Sequence, residues 1–227
     1  MSYQRITNLP AGKVRIYESE ILVIRKFEKI RDSLMAIVFL CCLVNVSQAQ
    51  LLDSLTLESM PAYTSIEEAM KEPEKVIKLE LRKQKLKTFP LEIVKFKNLQ
   101  YLDLSKNSID ELPEQIAELT NLQYFLISKN KLGGFPKEIG KLINLHYINA
   151  NQNEMVMLPP QIGKLINLTN MDLWSNNLTT FPDEMSELKK LKILDLRVII
   201  IDDETQQNLK NWLPNTTIYF SPNCKCK

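Results

Sequence analysis

Six apolar residues, Val76, Leu99, Leu122, Leu145, Leu168 and Leu191, stand at equal intervals of 23. Four of the units they open can be laid over one another: LQYLDLSKNSIDELPEQIAELTN (99–121), LQYFLISKNKLGGFPKEIGKLIN (122–144), LHYINANQNEMVMLPPQIGKLIN (145–167) and LTNMDLWSNNLTTFPDEMSELKK (168–190). Apolar residues return at unit positions 1, 4, 6, 11, 14, 18 and 21, with asparagine at 9 and proline at 15. So short a unit cannot bury all those apolar side chains by itself; stacking on its neighbours closes a continuous core. The chain is therefore expected to fold as a run of similar layers.

Within a unit the pattern is equally directive. Positions 3 to 5 alternate, as in Tyr101-Leu102-Asp103, which predicts a short strand with one face inward. Asn107, Asn130, Asn153 and Asn176 follow where the chain must turn, and a short side-chain amide can both donate and accept there. A structural asparagine ladder is expected. Pro90, Pro113, Pro136, Pro159 and Pro182 open the return stroke. Apolar pairs three apart, such as Ile116 and Leu119 or Ile139 and Leu142, then share one side of a helical turn.

At these residues the chain resembles the leucine-rich repeat family, in its 23-residue Leu-Pro-x-x-Ile-x-x-Leu subtype of bacterial secreted repeat proteins, over roughly residues 76–220. The resemblance implies an α/β fold, a solenoid with a parallel sheet on its concave face and short helices or turns on its convex side. It also implies an interaction scaffold rather than an enzyme.

The segments flanking the array differ from it. Leu34 to Val46 is an apolar run preceded by Arg25, Lys26, Lys29 and Arg31 and followed by Ser47-Gln48-Ala49. A basic stretch, a short greasy segment and a small-x-small site form a secretory signal pattern, with cleavage expected after Ala49. An uncleaved anchor or a buried helix of a cytosolic protein are the competing readings, although the run is short for a membrane span. Residues 1–49 are thus expected to be an amino-terminal extension and signal, 50–75 an amino-terminal cap, 76–201 the repeats, and 202–227 a carboxy-terminal cap and tail. In the first cap, Ser65-Ile66-Glu67-Glu68 reads as a capping box for a helix that Pro73 stops. In the second, Asp203 to Asn211 looks helical, Trp212 reads as a plug, and Thr216 to Phe220 reads as a strand. Cys224 and Cys226 make a Cys-Lys-Cys tail, read as two thiols, a strained local bridge or a link to another chain.

Fixed registers allow the outward side chains to be named. Position 3 gives Lys78, Tyr101, Tyr124, Tyr147, Asn170 and Ile193; position 5 gives Glu80, Asp103, Leu126, Asn149, Asp172 and Asp195. Position 7 gives Arg82, Ser105, Ser128, Asn151, Trp174 and Arg197. The three tyrosines should form a ladder spanning roughly 10 Å, with Leu126 beside the middle rung and Trp174 at the far end. Tyr101, Asp103, Tyr124, Leu126, Tyr147, Asn149, Asp172 and Trp174 are the expected partner-binding residues, an aromatic centre with a charged rim that includes Lys106 and Lys129. Tyrosine is also a good strand residue, so the ladder can serve the sheet alone.

Charge and composition exclude other classes. The net charge is +2, but residues 1–49 hold 7 of the 29 basic and 4 of the 27 acidic groups, which leaves 22 against 23 in the remainder. Nucleic-acid binding is not expected. No cofactor or metal is expected either: His146 is the single histidine, the only adjacent glycines are Gly133-Gly134, and Asp172 with Asp195 offer too few ligands for calcium. No serine or cysteine nucleophile has a plausible base. The leading expectation is an exported, non-catalytic protein that engages a protein partner through its tyrosine face. Carbohydrate stacking on the same aromatics and an intracellular scaffold are the alternatives.

Overall fold

Alternation at unit positions 3 to 5 leaves one side chain pointing inward, and a short strand forms there in every repeat. In the computed structural model, which describes residues 50–221, these are β1 (Lys78–Glu80), β2 (Tyr101–Asp103), β3 (Tyr124–Leu126), β4 (Tyr147–Asn149), β5 (Asn170–Asp172) and β6 (Ile193–Leu196). A seventh strand, β7 (Thr217–Phe220), follows the last repeat. All pair in parallel and in chain order, as one sheet. The register is the 23-residue period itself: Tyr101 faces Tyr124, which faces Tyr147. The inward rungs Leu79, Leu102, Phe125, Ile148, Met171 and Leu194 are buried, and the sheet closes one side of a continuous apolar core. The expected α/β solenoid of stacked repeats is the fold observed. The signal pattern of residues 34–49, the amino-terminal extension and Cys224 and Cys226 lie outside the described residues.

The return stroke of each repeat is a single 3-10 turn: Leu91–Lys95, Glu114–Glu118, Lys137–Lys141, Pro160–Lys164 and Asp183–Glu187. A 3-10 turn hydrogen-bonds three residues apart, which suits apolar residues at that spacing. In the second repeat Ile116 donates to Pro113 (3.1 Å) and Leu119 to Ile116 (3.1 Å), so proline supplies the first acceptor without needing to donate.

Asparagine at position 9 ties adjacent repeats together. The Asn130 amide donates to the carbonyls of Leu104 (3.0 Å) and Ile127 (3.1 Å), and its oxygen accepts the Ile109 N–H (3.0 Å). Asn153 and Asn176 repeat the pattern, and Asn107 does so with the Leu81 and Leu104 carbonyls. A second asparagine column runs along the opposite edge, at position 23. Asn98, Asn121, Asn144 and Asn167 each donate to the backbone carbonyl 24 residues earlier, at 2.6–2.9 Å.

The two ends are closed differently. At the first, α1 (Ser54–Ser59) is capped by Asp53 and α2 (Ile66–Ala69) by Ser65. Tyr63 pairs with the free edge of β1, donating to the Lys78 carbonyl (3.0 Å) and accepting from Glu80 (2.9 Å). At the other end, α3 (Asp203–Trp212) is capped by Asp202, buries Leu209 and packs Trp212 against the core. Among the described residues no helix is long and apolar enough to cross a membrane.

Candidate partner-binding face

The parallel register stacks residues of like position into columns, and the position-3 column is the most distinctive. The Tyr101 and Tyr124 ring centroids are 5.9 Å apart with planes 26° from parallel; Tyr124 and Tyr147 follow at 6.1 Å and 30°. The Lys78 ammonium caps the near end, 4.8 Å from the Tyr101 ring centroid. All three rings are partly buried, their flanks covered by one another. Burial pushes the Tyr101 phenol up to about 12, with the Asp103 and Glu80 carboxylates acting in the same direction. Tyr147 is raised too, chiefly by burial. Both phenols are therefore neutral at physiological pH and keep a proton to donate.

Position 5 proves to be a structural column as well as a surface one. The Oδ1 of Asp103, Asn149, Asp172 and Asp195 each accepts the backbone N–H two residues on, at 2.8, 3.3, 3.1 and 3.1 Å. These side chains satisfy the backbone as it leaves the strand. Asp172 also accepts from the Asn151 amide (2.6 Å), and Asp195 is held by Arg197. Leu126 alone in the expected set offers position 5 an apolar side chain.

Four outward assignments need correction: Ser105 and Asp195 are buried, and so are Asp103 and Lys78. Asp103, expected on the charged rim, is fully buried: its Oδ1 is spent on Ser105, and Arg82 of the preceding repeat lies 3.4 Å from Oδ2. Lys78, expected to face outward in the tyrosine column, is buried beside α1, where it donates to the Leu57 (3.1 Å) and Glu58 (3.0 Å) carbonyls. That contact suits a cation at the carboxy-terminal end of a helix. Tyr101, Tyr124, Leu126, Tyr147, Asn149, Asp172 and Trp174 remain partly exposed on one sheet face.

The start of the strands carries a feature the repeat pattern did not reveal. Gln100 and Gln123, buried at position 2, bond to each other (2.9 Å) and clamp an extended segment from outside the array. Gln100 accepts from the Leu52 N–H (2.8 Å) and donates to the Gln50 carbonyl (3.1 Å); Gln123 donates to the Leu52 carbonyl (2.9 Å). The segment thereby walls an open cleft of about 450 Å³ against Tyr124 and His146. His146 Nδ1 lies 2.8 Å from the Asn144 carbonyl. Among the described residues no three His, Cys, Asp or Glu side chains are grouped to hold a metal ion.

A family model for leucine-rich repeats matches residues 74–132. A leucine-rich repeat protein of Leptospira interrogans is similar in structure at 31% identity and a TM-score of 0.60, over 70% of this chain and 46% of that one. The chain belongs to the leucine-rich repeat family. Internalin C2 of Listeria monocytogenes shares the fold, at 23% identity and a TM-score of 0.57, over 67% of this chain and 64% of that one. This leucine-rich repeat chain thus spans less than two thirds of either protein's length. The plant peptide hormone receptor RGFR1, in complex with RGF2, is similar at 31% identity and a TM-score of 0.50, over 59% of this chain and 22% of that one. No curated protein matches the chain in sequence. Leucine-rich repeats are commonly protein-binding scaffolds.

Proposed function

We propose that this is an exported, non-catalytic leucine-rich repeat protein, at the cell surface or secreted, that engages a protein partner through its tyrosine-bearing concave face. One observation carries the reading: three tyrosines stacked in register at 5.9 and 6.1 Å, with their faces toward each other and their edges toward solvent. Rings already ordered by stacking lose little freedom when a partner covers them, which makes them efficient anchors. The raised phenols of Tyr101 and Tyr147 supply hydrogen-bond donors at the same surface. Leu126 adds apolar area beside Tyr124; Asn149, Asp172 and Trp174 extend the surface toward the later repeats. A similar plant peptide hormone receptor, whose structure is that of a complex with RGF2, is consistent with a protein partner. The export reading rests on the basic stretch, the apolar run Leu34 to Val46 and Ala49.

Tyr124→Ala tests the face. The substitution should weaken capture of a partner from cell or host extract by roughly tenfold or more, as loss of a central aromatic anchor does, without unfolding the protein. Unchanged capture contradicts the reading, and retention on polysaccharide resins that Tyr124→Ala abolishes would reassign the face to carbohydrate. Mass spectrometry of the exported species tests the compartment: a mature start at Gln50 supports export, and an intact segment 34–49 in the cytosol opposes it.

A further inference from the structure

Just beyond every strand of the array, at unit position 8, stands a residue in the left-handed region: Lys83 (φ 58°), Lys106 (61°), Lys129 (57°), Gln152 (53°), Ser175 (57°) and Val198 (60°). The first five donate their N–H to the backbone carbonyl 22 residues on, at 2.7–3.2 Å, so the column is in register from repeat to repeat. A left-handed turn favours glycine or asparagine, and nothing in that backbone asks for lysine. Yet three consecutive rungs are lysine, all exposed, at a spacing of about 4.8 Å.

The surroundings accentuate the charge. Residues 82–88, 105–111 and 128–134 hold seven basic groups, among them Arg82, Lys85 and Lys131, against Asp110 and Glu111. The matching stretches of the later repeats, 151–157, 174–180 and 197–203, hold Arg197 against Glu154, Asp202 and Asp203. Among the described residues no carboxylate forms an ion pair with Lys83, Lys106 or Lys129. The repulsion is felt: Lys83 and Lys129 on either side hold the Lys106 ammonium below the usual lysine range. Like charges stacked one repeat apart repel one another, most strongly at low salt. The free protein carries a cost here that an anion relieves.

We propose that the Lys83–Lys106–Lys129 ladder is a carboxylate-binding strip that receives an acidic segment of the protein partner. This rests on the tyrosine-face reading for the nature of the partner. The strip begins a few residues beyond the tyrosine column on the first three repeats, so one partner can cover both. Three rungs span only about 10 Å, room for two or three carboxylates. Residues 50–227 carry 22 basic and 23 acidic groups in all, so the molecule lacks the extended positive field with which proteins hold long polyanions. Lysine rather than arginine fits the task. A flexible stem with a compact charge follows carboxylates of varied spacing, where a guanidinium would demand bidentate geometry.

The test uses the full chain and a fluorescein-labelled hexaglutamate peptide at low ionic strength. Gln152 already occupies the column, so glutamine is a conservative replacement. Saturable binding is expected, weakened about tenfold in K83Q/K106Q/K129Q as three exposed ion pairs are lost together, and unaltered by Tyr124→Ala. Lys106→Gln alone should raise the melting temperature at low salt, and the gain should vanish at high salt. Equal hexaglutamate binding by the triple variant overturns the proposal. So does heparin binding in the absence of hexaglutamate binding, and so does a lowered melting temperature in Lys106→Gln, which would make the lysine structural. Failure of the tyrosine-face reading is separately visible, as partner capture that Tyr124→Ala leaves unchanged.

Discussion

The left-handed residue just beyond each strand is Lys83, Lys106 or Lys129 in the first three repeats, and Gln152, Ser175 or Val198 in the last three. The backbone is the same in both halves, with φ between 53° and 61° throughout. The frame therefore fixes a conformation and a hydrogen bond at this position and leaves the side chain open. In the first half that freedom carries positive charge beside the tyrosine ladder. In the second it carries neutral side chains and, at Val198, a β-branched residue where left-handed backbone suits it least. Interior columns do not vary in this way. They answer to the core; the outer ones answer to whatever meets the surface.

Removing an asparagine from the ladder should have the largest effect and should not distinguish the halves. Asn130→Ala and Asn153→Ala each strip one accepted and two donated hydrogen bonds from buried backbone. Each should cost about 3 kcal/mol or more in urea unfolding, since unpaired buried groups cost roughly 1–3 kcal/mol apiece. Costs differing by more than about 1.5 kcal/mol would break the claim of a common frame.

The convex side sharpens the contrast. Position 19 holds Ala117 in one repeat but Gly140 and Gly163 in the next two. A Cβ on Gly163 would run into the Glu184 carbonyl, and one on Gly140 would meet the Gln161 carbonyl at 2.7 Å. Gly163→Ala should therefore lose about 1–3 kcal/mol, the usual penalty of overpacking, while Ala117→Gly should lose less. A neutral Gly163→Ala would show that the turns of the later repeats can move apart.

Alkaline titration probes the first half. Tyr101 ionises near 12 in the folded chain against an ordinary value of 10, so the native state holds its proton where the unfolded state has lost it. Its contribution is intact below pH 10 and is lost between about 10 and 12. Ultraviolet titration should show Tyr101→Phe removing a late phenol, with a smaller decline in stability over that window. The smallest effect belongs to the last repeat. Val198→Asn should stabilise the protein by up to about 1 kcal/mol in thermal unfolding, because asparagine tolerates the left-handed turn. No gain would mean that Val198 packs usefully on neighbours despite its 61% exposure.

Much of this architecture was legible because the period is exact: strands, the position-9 asparagine ladder and the proline-led turns all follow from columns of residues. The position-23 asparagines are equally periodic, at 98, 121, 144 and 167, so the same column logic marks a second ladder in the sequence. Asp103 was misplaced for a different reason. Alternation tells which way a side chain leaves the strand, but not whether a neighbour such as Arg82 will lie over it. Lys78 and the Gln100–Gln123 clamp depend on segment 50–59, whose position beside the sheet has no periodic signal. Contacts between a repeating and a non-repeating part of a chain are where pattern reading ends.

A photo-reactive amino acid placed at position 124, with a second protein carrying it at position 164 on the convex turns, tests the central claim most directly. Irradiation in the presence of cell or host extract, followed by mass spectrometry, should yield a defined cross-linked protein from position 124 and none from position 164. Cross-links formed from position 164 alone, or to the same protein equally from both, would place recognition away from the tyrosine face.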